Sequence, residues 1–189
     1  MNKVIELIKI NNFLNSQQIK GKCTINEDFT IDVDGDVILR DEKMERLPVQ
    51  FRNVTGWFYF LITPNITTLE GCPEYVGGWF HCSWFKKLKN LHYSPKYVGG
   101  NYVCCENNLI TSLEGAPEYV GGVFICNDNE NLMSLKGAPK HCGGFNCERN
   151  SKINSLCDLI DGFIYPTIVC SDFGNFSVDP IKGWEALVF

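Results

Sequence analysis

The chain has 189 residues, a formal net charge of −5, 44% hydrophobic and 13% aromatic residues. This is enough apolar material for one domain with a sizeable core, and it excludes a disordered chain. The acidic balance argues against a nucleic-acid partner, since the one dense basic run, Lys86-Lys87-Leu88-Lys89, is far smaller than a basic stripe. No apolar run approaches the ~20 residues of a membrane-spanning helix, so no membrane partner is expected.

In chain order, residues 3–16 carry Val4, Leu7, Ile10 and Leu14 at helical spacing, with Asn2 as N-cap. A helix placed ahead of a repeat array seals its open end, so residues 1–22 are expected to form an N-terminal helical cap. From Thr24 the pattern turns to alternation. Phe29, Ile31, Val33, Val37 and Leu39 are interleaved with Asp32, Asp34 and Asp36, which predicts strands. Asp34-Gly35-Asp36 should interrupt them.

A long repeat then takes over. Leu47, Leu69, Leu91, Leu113 and Leu135 are each separated by 22 residues, and Leu156 follows after 21. The same frame repeats a valine slot (Val54, Val76, Val98, Val120, then Cys142) and an aromatic slot (Phe58, Phe80, Tyr102, Phe124). Two residues on come Phe60, Cys82, Cys104, Cys126 and Cys147, and the last apolar slot holds Met44, Ile66, Leu88, Ile110, Leu132 and Ile153. The copy at Gly143-Gly144-Phe145 is one residue short.

Aromatic-x-Cys sends two side chains to one face of a short strand. Gly-Gly before it should admit backbone conformations closed to other residues, and the proline upstream marks a bend. No single unit can bury these residues alone; stacked units can. The prediction is a mainly β repeat solenoid of about six coils over residues 23–157, with one short parallel strand per coil. Ten cysteines would suit a disulfide framework in a small secreted domain. Here several occupy a core slot that other copies fill with Phe, and residues 1–16 lack the pattern of a secretory signal. They are read as buried thiols in a reducing compartment, the cytoplasm.

The unit Leu-Glu-Gly-Ala-Pro-Glu-Tyr-Val-Gly-Gly-Val-Phe-Ile-Cys (113–126), with its near copy at 69–82, resembles the leucine-rich-repeat-like proteins encoded by large tailed bacteriophages. The resemblance runs from about Val33 to Cys157 and implies an LRR-like solenoid expressed inside an infected bacterium. Residues 158–189 leave the register and read as an irregular C-terminal cap, which a solenoid needs at its open end.

Inward aromatic and Cys slots place their neighbours outward. Trp57, Tyr59, Trp79, His81, Val103 and Ile125, with Trp84 close by, then line a face that an ordinary sheet would keep polar. Contiguous apolar surface marks an interaction site, with Trp and Tyr as anchors. The competing covers are the chain's own caps and a second copy of the chain. His81-Cys82 and Cys104-Cys105 cannot converge on one metal, because adjacent strand residues point to opposite faces. Asp158 and Asp161 make no paired-carboxylate site, and no cofactor motif is present. His81 and Cys105 share an outer face without a third orienting group. The sequence thus supports a non-enzymatic protein-binding module with no metal and no cofactor. The resemblance adds a bacterial host or antiphage-defence protein, inhibited or redirected, as partner. The alternative is a self-associating structural or virion-associated protein.

Overall fold

The computed structural model describes residues 3–153, together with the backbone of two short strands at 168–170 and 187–188. It is a mainly β solenoid of about five turns with parallel strands and one short N-terminal helix. The expected C-terminal cap lies outside the described residues apart from those two strands, as do Leu156, Asp158 and Asp161.

Helix α1 (Lys3–Ser16) occupies the predicted span, but it buries only Ile10 and Leu14 of the expected stripe. It leads into β1 (Gln18–Ile25), which pairs antiparallel with β2 (Thr30–Arg40) from Gln18↔Ile38 to Ile25↔Ile31. Residues 18–22 are therefore strand, not part of a helical cap. Ile19, Cys23 and Ile25 supply the period of two, and the three pack against the core. β2 also runs unbroken through Asp34-Gly35-Asp36, because β1 pairs with it along that whole stretch.

On its other side β2 opens two parallel ladders. Its first half pairs with β3 (Gln50–Val54), followed by β5 (Tyr75–Val76) and β7 (Tyr97–Val98). Its second half pairs with β4 (Phe58–Ile62), then β6 (Phe80–His81) and β8 (Tyr102–Val103). Both ladders meet again on β9 (Tyr119–Ile125), which passes the sheet on to β10 (His141–Asn146). β11 (Ile168–Cys170) and β12 (Leu187–Val188) extend it in parallel. The expected single strand per coil is thus split in the middle coils into two segments flanking Gly-Gly. Hydrogen bonds from Gly78 N–H to Gly56 O and from Gly100 N–H to Gly78 O, each 2.9 Å, carry the ladder across the split.

The reason for Gly-Gly differs from the sequence expectation. At Gly99 the backbone lies outside the left-handed region, yet a Cβ would stand 2.2 Å from Gly77 O of the coil below. Side chains are excluded here by close backbone stacking, not by an unusual dihedral. In the last described coil the register shifts between Cys142 and Gly144, which absorbs the missing residue.

Every repeat slot named above is buried within the described residues. The aromatic slot forms one column. Phe58 stacks on Phe80 (ring centroids 5.7 Å apart), Phe80 on Tyr102 (5.3 Å), Tyr102 on Phe124 (5.0 Å) and Phe124 on Phe145 (5.3 Å). Beside it runs a polar column built from the turn that follows each strand. Phe85 N–H donates to Asn107 Oδ1, Asn107 N–H to Asn129 Oδ1, and Asn129 N–H to Asn150 Oδ1, at 2.9, 2.8 and 2.8 Å. The asparagine amides donate onward to the carbonyls of Cys82, Cys104, Cys126 and Cys147. This ladder satisfies backbone groups where the strands turn out of the sheet.

Candidate functional site

The outward residues of the second ladder fall into two registered rows. One follows the strand pairing Ile38↔Tyr59, Tyr59↔His81, His81↔Val103 and Val103↔Ile125. The other sits one slot before the aromatic column and holds Asp36, Trp57, Trp79, Asn101 and Val123. The structure therefore brings all the sequence-predicted residues onto one face. They do not share one environment: Trp57, Trp79 and Trp84 are 51%, 48% and 48% exposed, whereas Tyr59 and His81 beside them, and Val103 and Ile125 in the next two coils, are half-buried.

Trp57 and Trp79 stack with centroids 5.8 Å apart and planes 25° apart. They can do so because the next coil offers glycine: a Cβ at Gly78 would lie 2.4 Å from Trp57 Cδ1, and one at Gly100 2.3 Å from Trp79 Cδ1. Their slot has another use in two of the other coils. Asp36 Oδ1 accepts the N–H of Trp57 at 2.9 Å, and Asn101 Oδ1 accepts that of Val123 at 2.8 Å. A carboxylate or amide here caps the following coil, and an indole cannot. The two tryptophans occupy positions where a small polar residue would serve the fold better.

Tyr59 stacks on His81 at 4.2 Å, and His81 meets Trp84 at 5.2 Å. His81 Nδ1 is buried without a hydrogen-bond partner. Burial pulls the imidazole pKa down to about 4, so at neutral pH the ring is uncharged and the row has no formal charge. Trp84, three residues beyond β6, lies in the left-handed region at φ 65°, and its Nε1 donates to Glu106 Oε1 at 2.8 Å. The same conformation recurs in this slot at Glu106, Asp128 and Arg149, so it belongs to the turn of the repeat and not to Trp84 alone. Ile62, one coil below Trp84 in the same slot, is also exposed.

His81 and Cys105 share this face without bonding. Cys105 Sγ lies 3.8 Å from Ile125 O, and burial pushes its thiol up to about 11, which leaves little thiolate near neutrality. Cys82 points the other way, into the core, where burial pushes it up to about 12. Among the described residues no group of three or more His, Cys, Asp or Glu side chains is placed to hold a metal ion, and no helix is long and apolar enough to cross a membrane.

A second aromatic file was missed in the sequence. Tyr75, Tyr97 and Tyr119 point outward from the first ladder and stack at 5.0 and 4.7 Å with planes 7° and 3° apart. Its signal was a tyrosine recurring before the valine slot, which the identical wording of the repeats hid. No family model matches the chain, and no curated protein or solved structure is similar to it at a significant level.

Proposed function

We propose that the chain is a non-enzymatic binding module that engages a protein partner through Trp57, Tyr59, Trp79, His81 and Trp84. The observation that carries this reading is the Trp57–Trp79 stack, half-exposed in a slot where Asp36 and Asn101 instead cap the next coil. Tryptophans that give up the cap Asp36 and Asn101 supply point to a use outside the fold, and exposed Trp and Tyr are the usual anchors of interfaces. The uncharged His81 row between them lowers the desolvation cost of covering the face. Following the resemblance to bacteriophage repeat proteins, the partner is a bacterial host or antiphage-defence protein, bound in the cytoplasm of an infected cell and inhibited or redirected there. That part rests on analogy between repeat proteins.

The test uses Trp79→Asn, which installs the acceptor that the slot carries elsewhere. It should hold or raise stability by about 1 kcal/mol through the restored cap. A partner captured from bacterial lysate by the wild-type chain should be lost with this variant. Retained capture by a folded Trp79→Asn chain rejects the reading.

A further inference from the structure

Among the described residues β1 has one strand partner, β2, and its other edge is unpaired. Which backbone groups that edge leaves open follows from the register. It runs without a shift from Gln18↔Ile38 to Ile25↔Ile31, and next to the turn Asn26 N–H donates to Thr30 O at 2.8 Å. Bonded and non-bonded positions alternate along an antiparallel pair. Gln18, Lys20, Lys22 and Thr24 therefore bond to β2, while Ile19, Gly21, Cys23 and Ile25 turn their N–H and C=O groups outward. Two glycines fix the same phase. A Cβ on Gly35 would strike Lys20 O, and one on Gly21 would strike Asp34 O, so both carbonyls point across the hairpin. Gly21 is exposed, and without a side chain its exposure is that of the backbone. Among the described residues no hydrogen bond reaches the four outward residues from another element.

The side chains say what pairs there. Ile19, Cys23 and Ile25 lie half-buried against the core on one face of β1. Lys20 and Lys22 stand exposed on the other, opposite Asp36 and Asp34. Those carboxylates are engaged from the far side: Asp36 Oδ1 accepts the N–H of Trp57 and Asp34 Oδ1 the hydroxyl of Thr55, each at 2.9 Å. Neither lysine makes an ion pair among the described residues. Two ammonium groups thus border an open row of backbone donors and acceptors. Opposite charges on neighbouring strands favour pairing and like charges oppose it. A second copy of β1 is therefore the wrong occupant. Antiparallel self-pairing that used all four outward residues would set Lys22 against its own copy, which is how edge lysines keep strands apart.

We infer that the outer edge of β1 takes an extended segment of a foreign protein as one more antiparallel strand, with carboxylates at alternate positions against Lys20 and Lys22. Apolar residues between those acids continue the row of Ile19, Cys23 and Ile25. The chain itself holds a strand of this pattern, because Ile31-Asp32-Val33-Asp34-Gly35-Asp36-Val37 pairs with the inner edge of β1. Added outside, such a strand gives each lysine a carboxylate on either side. Main-chain bonds then supply affinity, and the alternation of side chains supplies selectivity. This edge lies on the far side of β2 from Trp57, so it is a second site and does not depend on the reading above.

The experiment is fluorescence anisotropy of a labelled, end-capped peptide copying residues 30–40, titrated with the full chain. The chain carries a net charge of −5, so a general electrostatic pull does not draw in an acidic peptide. Saturable binding is expected, and the same peptide with its three Asp replaced by Lys should bind about tenfold more weakly or worse. Lys20→Gln with Lys22→Gln changes two exposed side chains and should stay folded by circular dichroism, yet weaken the acidic peptide about fivefold or more. Backbone pairing is read from N-methylated peptides. Methyl groups on the amides matching Ile31, Val33 and Val37, which face the outer edge, should abolish binding. Methyl groups on those matching Asp32, Asp34 and Asp36 should leave it nearly intact, whereas a peptide that displaced β2 would show the reverse order. No saturable binding up to several hundred micromolar, equal affinity for the lysine peptide, an unaffected Lys20→Gln, Lys22→Gln chain, or methylation effects that are equal or reversed each overturn the inference.

Discussion

Tyr93 stands one coil above Gly71 and shares its left-handed backbone, φ 69° against 93°. The next two copies of this slot are Gly115 and Gly137, at φ 92° and 89°. Tyr93 is thus the one described copy that adopts this turn with a side chain, and that side chain is 64% exposed. It overhangs a cleft of about 390 Å³ lined in part by Arg52, Glu74 and Lys96. An exposed ring returns little packing, whereas a non-glycine residue here costs about 1–2 kcal/mol. Tyr93→Gly is therefore expected to stabilise the chain by about 1 kcal/mol and raise the melting temperature by roughly 2–4 °C. A lower melting temperature in calorimetry would show that contacts of the ring outweigh the strain.

The asparagine ladder gives the opposite sign. Asn129 accepts Asn107 N–H and donates to the carbonyls of Cys104 and Cys126, all buried. Asn129→Ala leaves Asn107 N–H and the Cys104 carbonyl unpaired away from water, at about 1–3 kcal/mol each, whereas the Cys126 carbonyl keeps the Asn150 amide at 2.9 Å. The expected loss in urea unfolding is at least about 2 kcal/mol, against less than about 0.5 kcal/mol for Asn131→Ala near the surface. Equal effects would mean that the column is incidental.

How much of this was legible follows from where each residue sits. The leucine, valine, aromatic and cysteine slots recur in almost every copy, so period and burial could be read together, and parallel stacking followed. The outward face was legible for the converse reason: Trp79 and His81 vary where Phe80 and Cys82 do not. The asparagine column was hidden because its slot reads Thr63, Phe85, Asn107, Asn129 and Asn150, which looks like a variable polar turn until the coils are stacked. β1 has no second copy to compare with. Trp84 is legible only by its proximity to the row, and its left-handed backbone belongs to a turn shared with Glu106, Asp128 and Arg149, none of them glycine.

His81 predicts an acid response. Its folded pKa lies near 4 because burial penalises the charged ring, whereas the unfolded value is the usual one near 6.5. The unfolded chain then binds a proton first, so this residue leaves stability unchanged above about pH 6.5 and lowers it as pH falls toward 4. After allowance for partial solvent contact the loss is on the order of 1–2 kcal/mol. His81→Phe keeps a ring between Tyr59 and Trp84 and removes the titration. The wild-type minus variant stability difference should be flat from pH 8 to 6.5 and then fall toward pH 4. A difference flat over the whole range would show that the ring gains a proton freely in the folded state.

The glycines make a positional prediction. At Gly99 a Cβ would sit 2.2 Å from Gly77 O, a backbone atom with no rotamer to change, between the bonds from Gly99 N–H to Val76 O and Gly100 N–H to Gly78 O. Gly99→Ala must push two coils apart, and a displacement there strains the Phe80–Tyr102 step of the aromatic column and the seat of Trp79 over Gly100 together. The expected cost is about 2–4 kcal/mol. At Gly143 the same atom would be 2.8 Å from Gly121 O, in the coil whose register already shifts between Cys142 and Gly144. That coil has slack, so Gly143→Ala should cost less than half as much. If φ freedom were the reason for Gly-Gly, the two substitutions would be judged by dihedral alone and would fall together. Ranking them by chemical denaturation decides whether close stacking or backbone freedom fixes the repeat's glycines.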